Sequence, residues 1–360
     1  MAERSPADQA EAADARGSAR RLAEPVHFVC PEDRIWPELR DGTPLPLPGD
    51  VLARRAVGIP DTWVQRTYHA LKAAGEPVTL SRGVEPDRIN VAAVRDFGKR
   101  LRLTPGFVVI PRADAHAPAL GNFVIRQNGL ARETAHSANI PHWPQPGLIP
   151  RDAARGARIE TVAFKGHAVN LWAPFRSEAF REALAAMEIR LDLDLRDMES
   201  GAQRWHDYSE TDVVLAIRNQ TAYDARHKPA SKLVNAWAAG APALLGPEPA
   251  FAELRRDPLD YVEIRSPEDA LAALRRFRDQ PRLYTDSIAN GMRRAADYTD
   301  AAVLERWIDV LNGKVTPAYR HWRARPRALR ALQVAGMIAL EPLSQRLHHA
   351  RATRGPRLLS

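Results

Sequence analysis

"KPASKLVNAWAAGAPALLG", residues 228–246, is the stretch whose reading decides the fold. Pro229 suits a first helical turn, and Leu233, Val234, Ala236 and Trp237 supply an apolar surface. Gly240 ends the helix, Pro242 prevents its continuation, and the apolar "ALL" that follows reads as a buried strand. The unusual part is the start. Lys228, Ser231 and Lys232 crowd a helix end whose unsatisfied N–H groups already carry partial positive charge, which repels cations and holds anions. Either the lysines are simply solvated or an anion belongs among them.

Working outward, the second half alternates strands and helices. "ETVAFKG" reads as a strand, "PFRSEAFREALAAM" as a helix, "EIRLDLDL" and "TDVVLAIR" as strands, and "DYVEIR" as another strand before the helix "SPEDALAALRRFRDQ". The first half shows the same step: strand "VHFVC", the helical face of Trp63, Val64, Tyr68, Leu71 and Ala74, then strand "PVTLS". "GFVVIPRADAH" and "GNFVIRQNG" are apolar runs that break into polar loops. This alternation predicts an α/β protein with two largely parallel sheets, the ligand lying beyond the carboxyl ends of the strands. The Pro- and Trp-rich residues 140–157 read as a linker. The expected division is a disordered leader at 1–24, domains at 25–150 and 151–312, and a basic amphipathic tail at 313–360.

Charge is distributed unevenly. The chain of 360 residues has a net charge of +8, yet residues 313–360 carry ten Lys or Arg against one acid, Glu341. The body is therefore close to neutral. A basic tail containing the apolar "VAGMIALEPL" suits an anionic membrane surface as an interfacial helix, or closes the molecule as a helix packed across both domains. Nucleic acid ranks last as a partner, because no aromatic-basic or helix-turn-helix pattern accompanies the arginines. The single cysteine, Cys30, sits in an apolar run and reads as a buried structural thiol in a reducing compartment. The first residues have no apolar signal-peptide core, so a cytoplasmic location is expected, peripheral on the membrane if the tail binds one.

Three strand ends suggest chemistry when taken together. Gly166 and His167 follow "VAFK", Arg218 follows "VVLAI", and Lys228, Ser231 and Lys232 open the next helix. On one rim they would offer backbone donors, an arginine fork and two ammonium groups, a receptor of diphosphate size. In the first half, "PRADAH" at a strand end supplies Arg112, Asp114 and His116 to bind an acceptor or, for the last two, to take its proton. Asp192 and Asp194 have the spacing of a metal-binding pair, but the alternation around them is that of a half-exposed strand, so no metal site is expected.

The order "VAFKGHAVNL", "WHDYSETDVVLAIR", "HKPASKLVNAWAAGAPALLG" and "NGMRRAADYT" resembles the C-terminal, nucleotide-sugar-binding domain of GT-B glycosyltransferases of the group 1, family 4-like type. The resemblance is specific over residues 155–312 and extends to the first half only in strand order. It implies two Rossmann-like domains facing a cleft, and transfer of a sugar, of hexosyltransferase type, from a nucleoside-diphosphate donor to a glycan or lipid-linked acceptor. No cofactor or metal is implied. By position, Lys228, Ser231 and Lys232 would hold the donor phosphates, Arg218 would face them, and Gly166 and His167 would line the nearest loop. Asn235 stands where many retaining members place a ribose-binding glutamate, with His227 eight residues before it. That departure keeps two other readings open: a nucleotide-sugar epimerase of the same fold, and a non-catalytic nucleotide-sugar-binding or scaffold protein.

Overall fold

The computed structural model describes residues 21–96, 106–116, 118–167, 170–194 and 204–359. The expected leader falls almost wholly on residues 1–20, outside the described residues. Two parallel sheets form two lobes. The first is six-stranded in the order β2-β1-β3-β4-β5-β6, with β1 Val26–Val29, β2 Val78–Ser81, β3 Ile89–Ala92, β4 Phe107–Pro111, β5 Phe123–Arg126 and β6 Ser137–Asn139. The second is five-stranded, β11-β10-β9-β7-β8, with β7 Thr161–Lys165, β8 Arg190–Asp194, β9 Val213–Ala216, β10 Ala243–Leu245 and β11 Val262–Glu263. Every pairing is parallel, so the carboxyl ends of each sheet share one edge. Strands β1, β3, β4, β7 and β9 are buried along their whole length, as helices on both faces require.

The 228–246 stretch folds as its pattern predicts. Helix α3, Ser231–Ala239, follows α1 (Arg66–Ala73) and α2 (Glu178–Ala185) in chain order. It buries Leu233, Val234, Ala236 and Trp237 and ends on Gly240 at φ 68°, a left-handed conformation that glycine adopts without strain. Helices α4 (Pro267–Asp279) and α5 (Pro281–Ala295) complete this lobe. Ser266 caps α4 through a reciprocal box with Asp269.

The chain then returns to the first lobe. Helix α6, Asp300–Val310, and α7, Thr316–Arg323, place Val303, Trp307, Val315, Tyr319 and Trp322 in one core with Phe28, Trp63, Phe107 and Trp143. The sequence reading drew a boundary at 312, but burial groups residues 300–323 with the first lobe. Leu22 is buried in the same core, directly after the undescribed residues. Cys30 is fully buried, and burial pushes its thiol up to about 12, which makes it inert.

Helix α8, Arg327–Arg354, runs from one lobe to the other. At the first lobe, Glu341 pairs with His116 and accepts hydrogen bonds from the backbone N–H groups of Ala119 (2.8 Å) and Leu120 (3.1 Å). At the second lobe, Tyr223 meets His348, the Thr221 hydroxyl donates to the Ala352 carbonyl, and Leu359 is buried in the core around Leu215 and Leu244. No helix among the described residues is long and apolar enough to cross a membrane.

Candidate active site

The carboxyl ends of β7 and β9 and the start of α3 meet on one rim. No side chain caps α3, whose N-cap is Ala230; in its first turn the Leu233 N–H donates to the Ala230 carbonyl at 3.0 Å. Lys232 belongs to the first turn of this helix. Its ammonium lies 5.9 Å from the Phe164 ring centroid and 6.0 Å from that of Trp205. A Cβ at Gly166 would come within 3.2 Å of that ammonium, so glycine is what lets the loop lie directly over the charge. His167 is exposed and packs edge-on against Trp205 with centroids 4.9 Å apart. The structure thus brings Gly166, His167 and Lys232 together around an ammonium held by two aromatic faces.

Arg218 and Lys228 belong to a neighbouring cluster. The Arg218 guanidinium forms a fork with Glu248, Nε to Oε1 at 2.9 Å, and Glu248 is fully buried. Lys228 is paired with Asp114 of the first lobe at 3.0 Å and with Asp224 at 3.2 Å. Both cations expected to face a donor therefore already have carboxylate partners. They line a cavity of about 300 Å³ whose wall also includes Arg176, Asn170 and Arg357. Arg176 sits at the end of a 3-10 turn, Ala173–Arg176, that reads in sequence as an ordinary helix start.

The remaining candidates lie on the seam between lobes. Ser231 borders a second cavity, about 240 Å³, with His142, Asn128, Glu253 and Tyr298. Asn235 is buried, and its carbonyl accepts from the Gln145 backbone N–H at 3.1 Å, so it ties α3 to the interlobe segment. Asn128 donates to the carbonyls of Arg226 and Lys228, each at 3.0 Å. Of the three first-lobe candidates, only Asp114 meets the donor cluster, through Lys228. His116 is engaged by Glu341, and Arg112 turns Nε back to the Ala115 carbonyl at 3.1 Å. Asp192 faces Lys165 across β7 and β8 at 3.6 Å, as a strand residue does.

His142 is a seam residue that the sequence hides inside a Pro-rich linker. Its Nδ1 donates to the Trp143 carbonyl at 2.6 Å, which leaves the Nε2 lone pair as an acceptor, and the ring packs edge-on against Trp63. Burial pushes its pKa down to about 4, and burial followed by the Arg112 charge does the same to His227. Both are neutral in the folded protein at pH 7, against an ordinary value of 6.5. Between those two values the unfolded chain binds more protons, so stability rises with pH across that window and is lost as pH falls through it. The ceiling is about 1.4 kcal/mol per pH unit for His142 and less for His227, whose ring is partly open to solvent. Melting temperature should therefore drop between pH 7 and pH 5, with a shallower slope in His227→Asn. A flat profile in the wild type would contradict the burial of these rings.

Residues 166–309 match a family model described as glycosyl transferase-like, which spans the rim and α3. No curated protein matches the sequence. Among solved structures, the sucrose-phosphate synthase of Thermosynechococcus elongatus superposes with a TM-score of 0.50 at 11% identity, over 82% of this chain and 100% of the other. HepE of Anabaena, solved with UDP and glucose, gives 0.42 at 10% identity over 81% and 100%. TarM gives 0.42 at 9% identity over 62% of this chain, which spans only 54% of TarM. The protein thus has the two-lobe GT-B fold, and its residues 166–309 are similar to the glycosyl transferase-like family.

Proposed function

We propose that the protein transfers a sugar from a nucleoside-diphosphate donor to an acceptor hydroxyl brought to the seam between the lobes. The observation that carries this reading is the Lys232 ammonium, which comes from the first turn of α3 and sits beside Gly166 and against the Phe164 and Trp205 rings. As the sugar–oxygen bond breaks, charge accumulates on the departing diphosphate, and a preorganised cation at the positive end of a helix stabilises it without a metal. The acceptor is a glycan or lipid-linked sugar of a polysaccharide or glycoconjugate, entering beside Ser231 and His142. Neither seam candidate is a strong base at pH 7: His142 titrates near 4, and Asp114 is engaged by Lys228. That favours a route in which the leaving phosphate oxygen takes the acceptor proton and the anomeric configuration is retained. The test is a panel of UDP-, GDP-, ADP- and dTDP-sugars with and without glycan acceptors. Acceptor-dependent release of one nucleoside diphosphate, unaffected by EDTA, supports transfer. Altered sugar without acceptor supports the epimerase, and no turnover of any donor supports the binding protein.

The tail reading concerns where this happens. Leu329, Leu332, Leu340, Leu343 and Leu347 are exposed, and at 100° per residue they fall within roughly a quarter turn of α8. Val334 and Glu341, on another side, are buried. The single acid of residues 313–360 is thus turned inward, and the leucine stripe is accompanied only by positive charge, including Arg346, Arg351 and Arg354. This complementarity supports docking of the stripe on an anionic bilayer. Leu340→Ser with Leu343→Ser should release the protein from phosphatidylglycerol vesicles while leaving its melting temperature within about 2 °C. Unchanged co-sedimentation would remove the membrane from the account.

A further inference from the structure

The polar cavity beside the rim has a charge balance that its wall residues do not resolve. Two of its four cations are neutralised: Arg218 by Glu248, and Lys228 by Asp114 and Asp224. The other two, Arg176 and Arg357, have no carboxylate partner among the described residues. Arg176 follows β7, as a residue near a ligand in such a sheet should. Arg357 comes from the far end of the chain, outside the family-matched segment of 166–309.

Arg357 is held in place by its neighbours. The Leu358 N–H donates to the Gln220 carbonyl at 2.9 Å, and the Ala222 N–H donates to the Pro356 carbonyl at 2.8 Å. Together with the antiparallel bridge between Thr221 and Arg357, these bonds sew residues 356–358 along the segment that leaves β9. Leu359 is buried in the second-lobe core and anchors the end of this strip. The guanidinium itself donates Nη1 to the Asn219 carbonyl at 2.5 Å and stays exposed at the cavity wall. One bond to a carbonyl leaves most of its five donors available.

We propose that Arg357 is a donor-site residue: with Arg176 it forms an arginine pair that binds the diphosphate of the donor, so that α8 and its terminal strip complete the pocket. Two guanidinium groups without a carboxylate partner line one cavity whose four cations outnumber Glu248, Asp114 and Asp224 by one, an excess that suits an anion, and the forked donors suit the oxygens of a diphosphate. The inference rests on the donor-site reading above and adds a residue from outside the recognised domain. It also gives α8 a second role: because the helix connects His116 in the first lobe to Arg357 in the second, lobe position and donor affinity become linked.

Inorganic pyrophosphate, titrated calorimetrically into the full-length protein, separates this inference from the reading beneath it. Arg357→Gln and Arg176→Gln should each weaken binding about tenfold, and Arg357→Lys should recover part of the loss. The salt dependence of affinity should become shallower in both Gln variants, a change that a purely structural clip to Asn219 would not produce. If Arg176→Gln and Lys232→Ala weaken binding while Arg357→Gln does not, Arg357 is only a clip and the inference fails while the donor site stands. If pyrophosphate binds wild type and all three variants alike, the donor-site reading fails with it. Thermal melts of each variant check that affinity, and not folding, has changed.

Discussion

Lys232→Ala should reduce donor turnover by about 100- to 1000-fold, the largest effect expected of any single substitution on activity. The ammonium is positioned before any ligand arrives, with Phe164 and Trp205 on its flanks and Gly166 above it. Because little reorganisation would be needed, on the proposed reading its interaction with the developing diphosphate charge would be realised at the transition state. Ground-state affinity for a nucleoside diphosphate should fall less, about 10- to 100-fold, as expected for loss of one hydrogen bond to a charged group. Lys232→Arg should restore little, since a planar fork does not reproduce a point charge seated beside Gly166 and the Phe164 ring. Steady-state rates of nucleoside diphosphate release, with a melting curve for each variant, test this. A variant that folds and turns over at the wild-type rate would show that Lys232 merely faces water.

Asp212→Ala should be the most damaging substitution for stability, at about 3–5 kcal/mol. The carboxylate is fully buried at the start of β9. It accepts from Arg151 Nε at 2.9 Å, from Arg155 Nε and Nη2 at 2.8 and 2.7 Å, and from the N–H groups of Glu160 and Thr161 at 2.8 and 2.9 Å. Burial alone would push its pKa up, but these bonds outweigh it and hold the carboxyl below its ordinary value. Removing the anion leaves the buried Arg151 guanidinium without its counter-charge and two backbone donors without their acceptor, where the interlobe segment joins the second sheet. Melting temperature should fall by about 10 °C, taking 2–4 °C per kcal/mol for a chain of this class. Asp212→Asn should recover less than half of that, because its amide offers N–H groups to arginines that can only donate. A loss below about 1 kcal/mol would contradict the network's role.

Most of the second lobe was legible in the sequence because its strands are apolar runs and its helices carry their own stop signals. Gly240 and Pro242 after α3 are one example, and the Ser266 box before α4 is another. Two strands of the first lobe give no such signal. β3 carries Asn90 in its middle, fully buried, and only the fold shows that its amide donates to the carbonyls of Glu85, Arg88 and Phe107. β6, Ser137–Asn139, is a short polar edge with no hydrophobic period to read. The aromatic residues of α6 and α7 announce burial, but which lobe they cover depends on contacts nearly 300 residues apart, such as Ala23 with Asn312.

The site divides in the same way. Gly166, His167 and Lys232 come together because residues that follow or precede adjacent parallel strands share one rim, a relation that topology guarantees. Charge pairing is not guaranteed by topology. Glu248 lies 30 residues from Arg218, and Asp114 lies 114 from Lys228, so two expected donor ligands are found already partnered. Asn235, expected to replace a ribose-binding glutamate, faces the seam, because the Gln145 N–H reaches it from the interlobe segment. Arg176 and Arg357 carry no motif and become visible only as neighbours on one cavity.

The central claim is that the start of α3 holds a diphosphate, and its most direct test is calorimetric titration of the full-length protein with UDP, GDP, ADP and dTDP, repeated for Lys232→Ala. The account predicts that one of these nucleotides binds at a single site and that the substitution weakens it at least tenfold. Absence of binding by all four at millimolar concentration, or equal affinity in wild type and Lys232→Ala, would contradict it.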